Sequence, residues 1–337
     1  MQIPTNIIIS RTDSIGDVVL TLPVAGVLKK YFPHIKIGFL GRAYTRPVIE
    51  ACKYVDEFID IKEFLDKRVS ICGQAPVAIL HVYPSFAIAM RAKKLQIPLQ
   101  IGTTNRIYHW FTCNKLVKLS RKNSSLHEAV LNLKLLKPLG INEDFGTETM
   151  SKFFGLTRIE PLQESFSNLI DESRYNLILH PKSQGNTREW GTDYFTELIQ
   201  LLSNDRYKIF ISGTQQERQM IQVLFDSVGD KVTDITGTMN LGQFISFIAH
   251  CDGIVANSTG PLHIAAALGK DVLGIYPPIR PMHPQRWAPL SAKAKVFVIN
   301  RECNDCKNKS VDCHCIREIK PSMLQQTLND LYPSLQN

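Results

Sequence analysis

Two stretches of this sequence place reactive side chains where a strand should pass into a helix. In "RTDSIGDVV", residues 11–19, Asp13 and Asp17 follow the apolar run 7–9 and precede an amphipathic stretch ending near Tyr31. In "NSTGPLHIAAALG", residues 257–269, Ser258, Thr259 and Gly260 lead into a helical pattern that holds Pro261 and His263 in its first turn. The open N–H groups of a helix start attract anions. Thr259, Gly260 and His263 therefore suit a phosphate or pyrophosphate, and Pro261 suits a first turn. Carboxylates at such a junction do one of two things: they cap the helix, or they act as a base.

Two further loops belong to the same chemistry. "HPKSQGNTREWG", residues 180–191, collects Lys182, Ser183, Thr187 and Arg188 after an apolar run. Cations and hydroxyls at a strand end make a phosphate clamp, or else a polar surface turn. "SGTQQE", residues 212–217, offers Gln215 and Glu217 either to a ribose or to a helix cap.

The elements that must carry these residues are short β-rich runs alternating with helical patterns. Strands are expected at "NIIIS", "IKIGFL", "EFIDI", "VAILHVY" and "PLQIGT", followed by a helix over 127–136. The Gly-, Pro- and acid-containing stretch 137–168 breaks the pattern and marks a domain boundary. Alternation then restarts, with "YNLILHP", "YKIFISGT", "GIVANS" and "DVLGIYP" as strands and a last helix from about Pro321 to Leu331. The class is α/β, with two parallel sheets flanked by helices.

The 337 residues suit two domains, and 44% hydrophobic with 21% charged content describes an ordinary globular chain. No apolar run approaches the ~18 residues that span a bilayer. The N-terminus lacks a basic region followed by a long apolar stretch, so a cytoplasmic location is expected. Net charge is +8, and residues 86–140 alone hold ten Lys or Arg against one acid, Glu128. Such a tract suits an anionic partner (phosphorylated lipid, a membrane surface or nucleic acid) or serves as a solvated face. Cys303, Cys306, Cys313 and Cys315 form C-x2-C-x6-C-x-C around His314. A thiolate zinc site is one reading, but C-x-C is tight for it; reduced thiols or a local disulfide are the other, and no metal is expected.

Together, "RTDSIGDVVLTLPV", "HPKSQGNTREW", "SGTQQE" and "NSTGPLHIAAALG" resemble glycosyltransferase family 9, the heptosyltransferases of lipopolysaccharide assembly. The resemblance runs over nearly the whole chain in the family's order and spacing. It implies a GT-B fold, two Rossmann-like domains with parallel sheets facing across a cleft. Residues 1–160 would bind the acceptor and 161–320 the nucleotide sugar, with 321–337 carrying a helix back to the first domain. The implied reaction is inverting, metal-independent transfer of a sugar, heptose from ADP-heptose, onto a lipopolysaccharide inner core or related anionic glycolipid. No cofactor is implied, nor a nucleic-acid partner. A monomer touching the cytoplasmic face of the inner membrane is expected.

Residue by residue, Asp17 matches the family's catalytic base. Arg188 matches a lysine that neutralises the donor diphosphate, with Lys182, Ser183 and Thr187 in the same loop. Thr259, Gly260 and His263 match the diphosphate site, Met239 the adenine pocket, and Gln215 or Glu217 the ribose. Ser258 stands where the family often has an acid that touches the donor sugar. Asp13, Arg91, Lys93, Lys94, Arg106, Lys118, Arg121 and Lys122 lie in the half given to the acceptor and are its candidate contacts. Two other functions compete. A nucleotide-sugar epimerase of this fold would want further carboxylates around the sugar, and Ser258 counts against that. A non-enzymatic polyanion-binding protein would explain the basic tract but not the phosphate-type loops.

Overall fold

A computed structural model describes residues 3–121, 124–183, 185, 187–301 and 314–332. The chain divides into two compact units, Met1–Ile159 and Glu160–Asn337. The first unit is built on strands β1 (Asn6–Ser10), β2 (Lys36–Gly41), β3 (Glu57–Asp60), β4 (Ala78–His81), β5 (Leu99–Thr103) and β6 (Lys115–Val117). They pair in parallel in the order β3-β2-β1-β4-β5-β6. The second unit uses β7 (Tyr175–His180), β8 (Tyr207–Ile211), β9 (Val232–Asp234), β10 (Gly253–Asn257), β11 (Asp271–Ile275) and β12 (Ala294–Phe297). Its parallel order is β12-β11-β10-β7-β8-β9.

Each order reverses direction beside its own first strand, between β1 and β4 and between β7 and β10. At such a switch point the two flanking connections leave on opposite sides, and a crevice opens outside the carboxyl ends of the strands. Asp13 and Asp17 follow β1, Lys182, Ser183, Thr187 and Arg188 follow β7, and Ser258, Thr259, Gly260 and His263 follow β10. β1, β4, β7 and β10 are buried along their whole length, as expected for central parallel strands covered on both faces.

The stretch after β1 forms two helices, α1 (Ile15–Val19) and α2 (Leu22–Tyr31), rather than one. Pro23 lies at the start of α2, where a missing N–H costs nothing. Gly26 lets α2 lie directly on residues 151–153: a Cβ there would sit 2.5 Å from the Phe153 carbonyl oxygen. Two more helices matter below, α3 (Phe86–Lys94) and α4 (Glu128–Leu133). In the second unit the key ones are α5 (Thr192–Leu201), α6 (Gln215–Met220), α7 (Leu241–His250) and α8 (Gly260–Ala267). Among the described residues no helix is long and apolar enough to cross a membrane.

The last helix, α9 (Pro321–Leu331), corrects one expectation. Expected to return to the first unit, it packs within the second. Leu324 and Leu328 join the apolar cluster of Phe195, Leu198 and Ile199 on α5. Asn329 Oδ1 accepts hydrogen bonds from Arg206 at 3.0 Å and Tyr207 at 3.1 Å. Two leucines four residues apart make one apolar stripe, and α5 offers the matching face.

Candidate active site

At the β7–β10 switch point Asn257, fully buried at the end of β10, ties two loops together. Its Nδ2 donates to the Pro181 carbonyl at 2.8 Å, and its Oδ1 accepts the Trp190 N–H at 3.0 Å. Trp190 is fully buried and donates Nε1–H to the Ile319 carbonyl at 2.7 Å. The loop 181–190 is thus clamped at both ends. Inside it, Glu189 accepts the N–H and hydroxyl of Ser183, both at 3.0 Å, and ion-pairs with Lys182. Lys182 and Ser183 are therefore held in place by a carboxylate that sequence reasoning passed over. Thr187 Oγ1 is buried in the same loop and has no hydrogen-bond partner among the described residues.

Across the crevice α8 begins at Gly260 with Thr259 as its N-cap residue, and no side chain caps it. Thr259 Oγ1 is also buried, without a partner among the described residues. His263 is 4% exposed in the first turn of α8. Two unsatisfied buried hydroxyls and an uncapped helix start flank a loop carrying Lys182 and Arg188. A buried donor without a partner costs free energy, which an oxyanion at this place would recover. Ser258 hydrogen-bonds the phenol of Tyr276, whose O–H donates to the Trp287 carbonyl at 2.7 Å.

The ribose candidates separate. Glu217 is 5% exposed and closes a capping box with Thr214: its Oε2 accepts the Thr214 N–H at 2.7 Å, and Thr214 Oγ1 accepts the Glu217 N–H at 3.2 Å. Its carboxylate satisfies the helix start, so the cap reading of Glu217 holds. Gln215, at the start of α6, stays exposed. The Gly237 N–H donates to the Gly213 carbonyl at 2.9 Å, which brings the loop holding Met239 beside Gln215. Gly237 has φ +67 and lies so close that a Cβ would meet Gln215 Oε1 at 2.6 Å.

At the β1–β4 switch point the organising residue is Arg11, 3% exposed. Its Nε donates to Asp13 at 2.7 Å, its Nη1 to Glu128 at 3.0 Å, and its Nη2 pairs with Asp17. Glu128, on α4, is completely buried and also accepts Arg121 Nε at 2.8 Å. Burial alone would disfavour the Arg11 charge; Asp17, Asp13 and Glu128 outweigh it and raise its pKa. Burial raises the Asp13 carboxyl to about 6, with Arg11 pulling it down and Asp17 pushing it up. Asp17 is the third residue of α1, and its carboxylate takes the Ser14 hydroxyl and Arg11. Ser14, not Asp17, is the N-cap residue. The loop is pinned from outside as well, by Arg42 Nε on the Thr12 carbonyl at 2.7 Å and the Tyr44 hydroxyl on the Asp13 carbonyl at 2.5 Å.

The basic tract divides too. Arg121 is built into the Glu128 cluster and also donates to the Val82 carbonyl and Asn132 Oδ1. Arg91 donates to the carbonyls of Phe64 at 3.1 Å and Lys67 at 2.9 Å, closing the end of the helix Ile61–Asp66. Lys93 Nζ donates to the Phe111 carbonyl at 2.8 Å. All three side chains are tied into the fold by these bonds, and Lys93 is exposed as well. Lys94, Arg106 and Lys118 are exposed. Lys122, Cys303, Cys306 and Cys313 lie outside the described residues; Cys315 is buried, with Arg301 3.6 Å from its sulfur.

Residues 78–316 match glycosyltransferase family 9 (heptosyltransferase). The chain is 26% identical over 359 residues to lipooligosaccharide heptosyltransferase 2 of Haemophilus influenzae, covering 97% of this chain and 99% of that one. Among solved structures, a family 9 glycosyl transferase of Veillonella parvula superposes with a TM-score of 0.77 at 19% identity, covering 98% of both chains. The E. coli ADP-heptose lps heptosyltransferase II superposes with a TM-score of 0.75 at 20% identity, covering 97% of this chain and 98% of that one. The fold is the GT-B type, with a Rossmann-like parallel sheet in each unit. The chain belongs to glycosyltransferase family 9, the heptosyltransferases, and is a glycosyltransferase.

Proposed function

We propose that this enzyme transfers heptose from ADP-heptose to the inner core of lipopolysaccharide, or to a related anionic glycolipid, at the cytoplasmic face of the inner membrane. The observation that carries the donor half is the start of α8, with no side-chain cap among the described residues, together with two hydroxyls buried without a partner among those residues: Thr259 Oγ1 at that start and Thr187 Oγ1 in the loop after β7. The names of relatives support the sugar and the base: one is an ADP-heptose heptosyltransferase of lipopolysaccharide.

The chemistry assigned to these residues is as follows. An acceptor hydroxyl gives its proton to Asp17 as its oxygen bonds the anomeric carbon. The bond from that carbon to the diphosphate breaks on the opposite face, so configuration inverts. Charge developing on the leaving ADP is met by Arg188, Lys182 and the N-terminus of α8, donors already fixed before the reaction. Met239 and Gln215 would face adenine and ribose, and Ser258 the sugar. Asp13, with Lys94, Arg106 and Lys118, would face the acceptor. The enzyme needs no metal for these steps.

Arg188→Ala should weaken ADP binding by about 10–100-fold, the range of a charge-assisted bond. Lys182→Ala should do less, because Glu189 already neutralises part of that charge. Calorimetry with ADP checks both, and unchanged affinity in Arg188→Ala would remove it from the donor site. The reading as a whole is tested by offering ADP-, GDP- and UDP-sugars with a truncated lipopolysaccharide acceptor. Heptose transfer from ADP-heptose is expected. Its absence, with stabilisation by another nucleotide, would overturn the donor assignment.

A further inference from the structure

The solvent side of α3 is unusual. Ile88, Ala89 and Ala92 fill its buried face as expected. Its outer face, however, carries Phe86 at 56% exposure and Met90 at 40%, followed by Lys93 and Lys94. The neighbouring segment, which includes the short helix His109–Thr112, exposes Ile107 at 84%, Trp110 at 64% and Phe111 at 51%. The two segments form one surface. Phe86 meets Tyr108 edge to face at 5.5 Å, and Lys93 Nζ both bonds the Phe111 carbonyl and lies 5.9 Å from the Phe111 ring. Trp110 Nε1–H is already satisfied by the Thr104 carbonyl at 2.9 Å, so its ring is presented with its polar atom occupied. Single exposed apolar residues need no explanation, but a contiguous group of this size marks a contact surface.

Charge identifies what the surface fits. Between Asp66 and Glu128 the sequence contains no Asp or Glu, and Glu128 is buried against Arg11 and Arg121. Lys93 and Lys94 on α3 and Arg106 next to Ile107 thus adjoin the apolar group, with no exposed carboxylate in that stretch of sequence; the nearest acids before it, Glu63 and Asp66, are exposed on the helix Ile61–Asp66 that packs against α3. We infer that Ile107, Trp110, Phe111, Phe86 and Met90 insert into the interfacial layer of an anionic lipid bilayer, with the bordering lysines and arginine on its headgroups. This combination of apolar insertion and basic attraction is how monotopic surfaces hold a membrane. Nucleic acid would have no use for Ile107, the most exposed member. The inference deepens the membrane contact proposed above, and it replaces a purely electrostatic contact with an anchored one.

The test uses the full chain and sucrose-loaded vesicles of phosphatidylcholine, with and without phosphatidylglycerol, and needs neither donor nor acceptor sugar. Wild type should sediment with the anionic vesicles and much less with the neutral ones, and Trp110 emission should shift to the blue. Ile107→Ser with Trp110→Ser should weaken vesicle binding by about tenfold or more, each deleted apolar side chain removing buried area from the contact. Lys94→Glu with Arg106→Glu should abolish the preference for anionic vesicles. Both pairs lie on the surface, so ADP affinity should be unchanged and serves as the control for folding. Transfer to a soluble acceptor fragment should also survive in the serine pair. Failure of transfer would then count against the proposed reaction, and failure of vesicle binding against the anchor. The anchor is overturned if wild type ignores anionic vesicles, or if the serine pair binds them as well as wild type. It is equally overturned if wild type is a dimer that the serine pair dissociates, because the surface would then join two copies of the chain.

Discussion

Asp17→Asn is expected to lower kcat by about 10²–10⁴-fold, the usual contribution of a general base, with ADP affinity essentially retained. The competing role for this carboxylate was a helix cap. In the structure Ser14 holds the N-cap position and Asp17 sits at the third residue of α1, bonded to the Ser14 hydroxyl and Arg11. Its side chain is 16% exposed, so it is reachable, yet it is fixed on a guanidinium that is itself 4% exposed. Anchoring and accessibility are what the proposed role as base requires. Asparagine preserves the shape and an oxygen for the Ser14 contact, and it removes the basicity together with one of the three carboxylates on Arg11. Single-turnover kinetics beside calorimetry separates the two effects. Near-normal turnover in a folded Asp17→Asn variant would leave Asp17 a structural partner of Arg11 and nothing more.

The fold was legible because parallel strands buried on both faces read as short, continuous β-branched runs, such as "NIIIS" and "NLILH". The strands that escaped notice are β6, β9 and β12, three or four residues long and at the sheet edges, where the pattern is too short to stand out. Phosphate-type loops were legible because their residues are consecutive. The partners that hold those loops were not. Glu189 and Asn257 act through bonds whose geometry no spacing rule contains. Glu128 is the clearest case: as the one acid in a basic tract it looked incidental, whereas it is the buried counter-ion of Arg11, 117 residues away. Conversely, α3 was not singled out in the sequence, where residues 86–140 stood out for their charge. Only the fractional exposure of Phe86 and Met90 shows apolar residues on its outer face too.

Glu128 therefore predicts the largest stability effect. Its carboxylate is completely buried and accepts from Arg11 at 3.0 Å and Arg121 at 2.8 Å. Glu128→Ala leaves two guanidinium groups facing a void, one of them almost fully out of water. Breaking a buried pair by deleting one partner typically costs about 3–5 kcal/mol, more than the net value of the pair, because the remaining charge stays desolvated. Glu128→Gln retains the volume and one acceptor oxygen and should cost less while still losing the charge. Urea unfolding of the three proteins should rank them wild type, Gln, Ala. The same change should reach catalysis. Arg11 would be left to Asp13 and Asp17 alone, and a shift of its head group moves the carboxylate proposed as base. A fall in kcat with ADP affinity preserved is expected in Glu128→Gln at temperatures where it is fully folded. Nucleotide affinity is the informative control, because the residues proposed to bind it lie in the second unit. If Glu128→Ala lost less than about 1 kcal/mol, the cluster would behave like a solvent-relaxed surface pair, and Arg11 could not be what holds Asp17 in position.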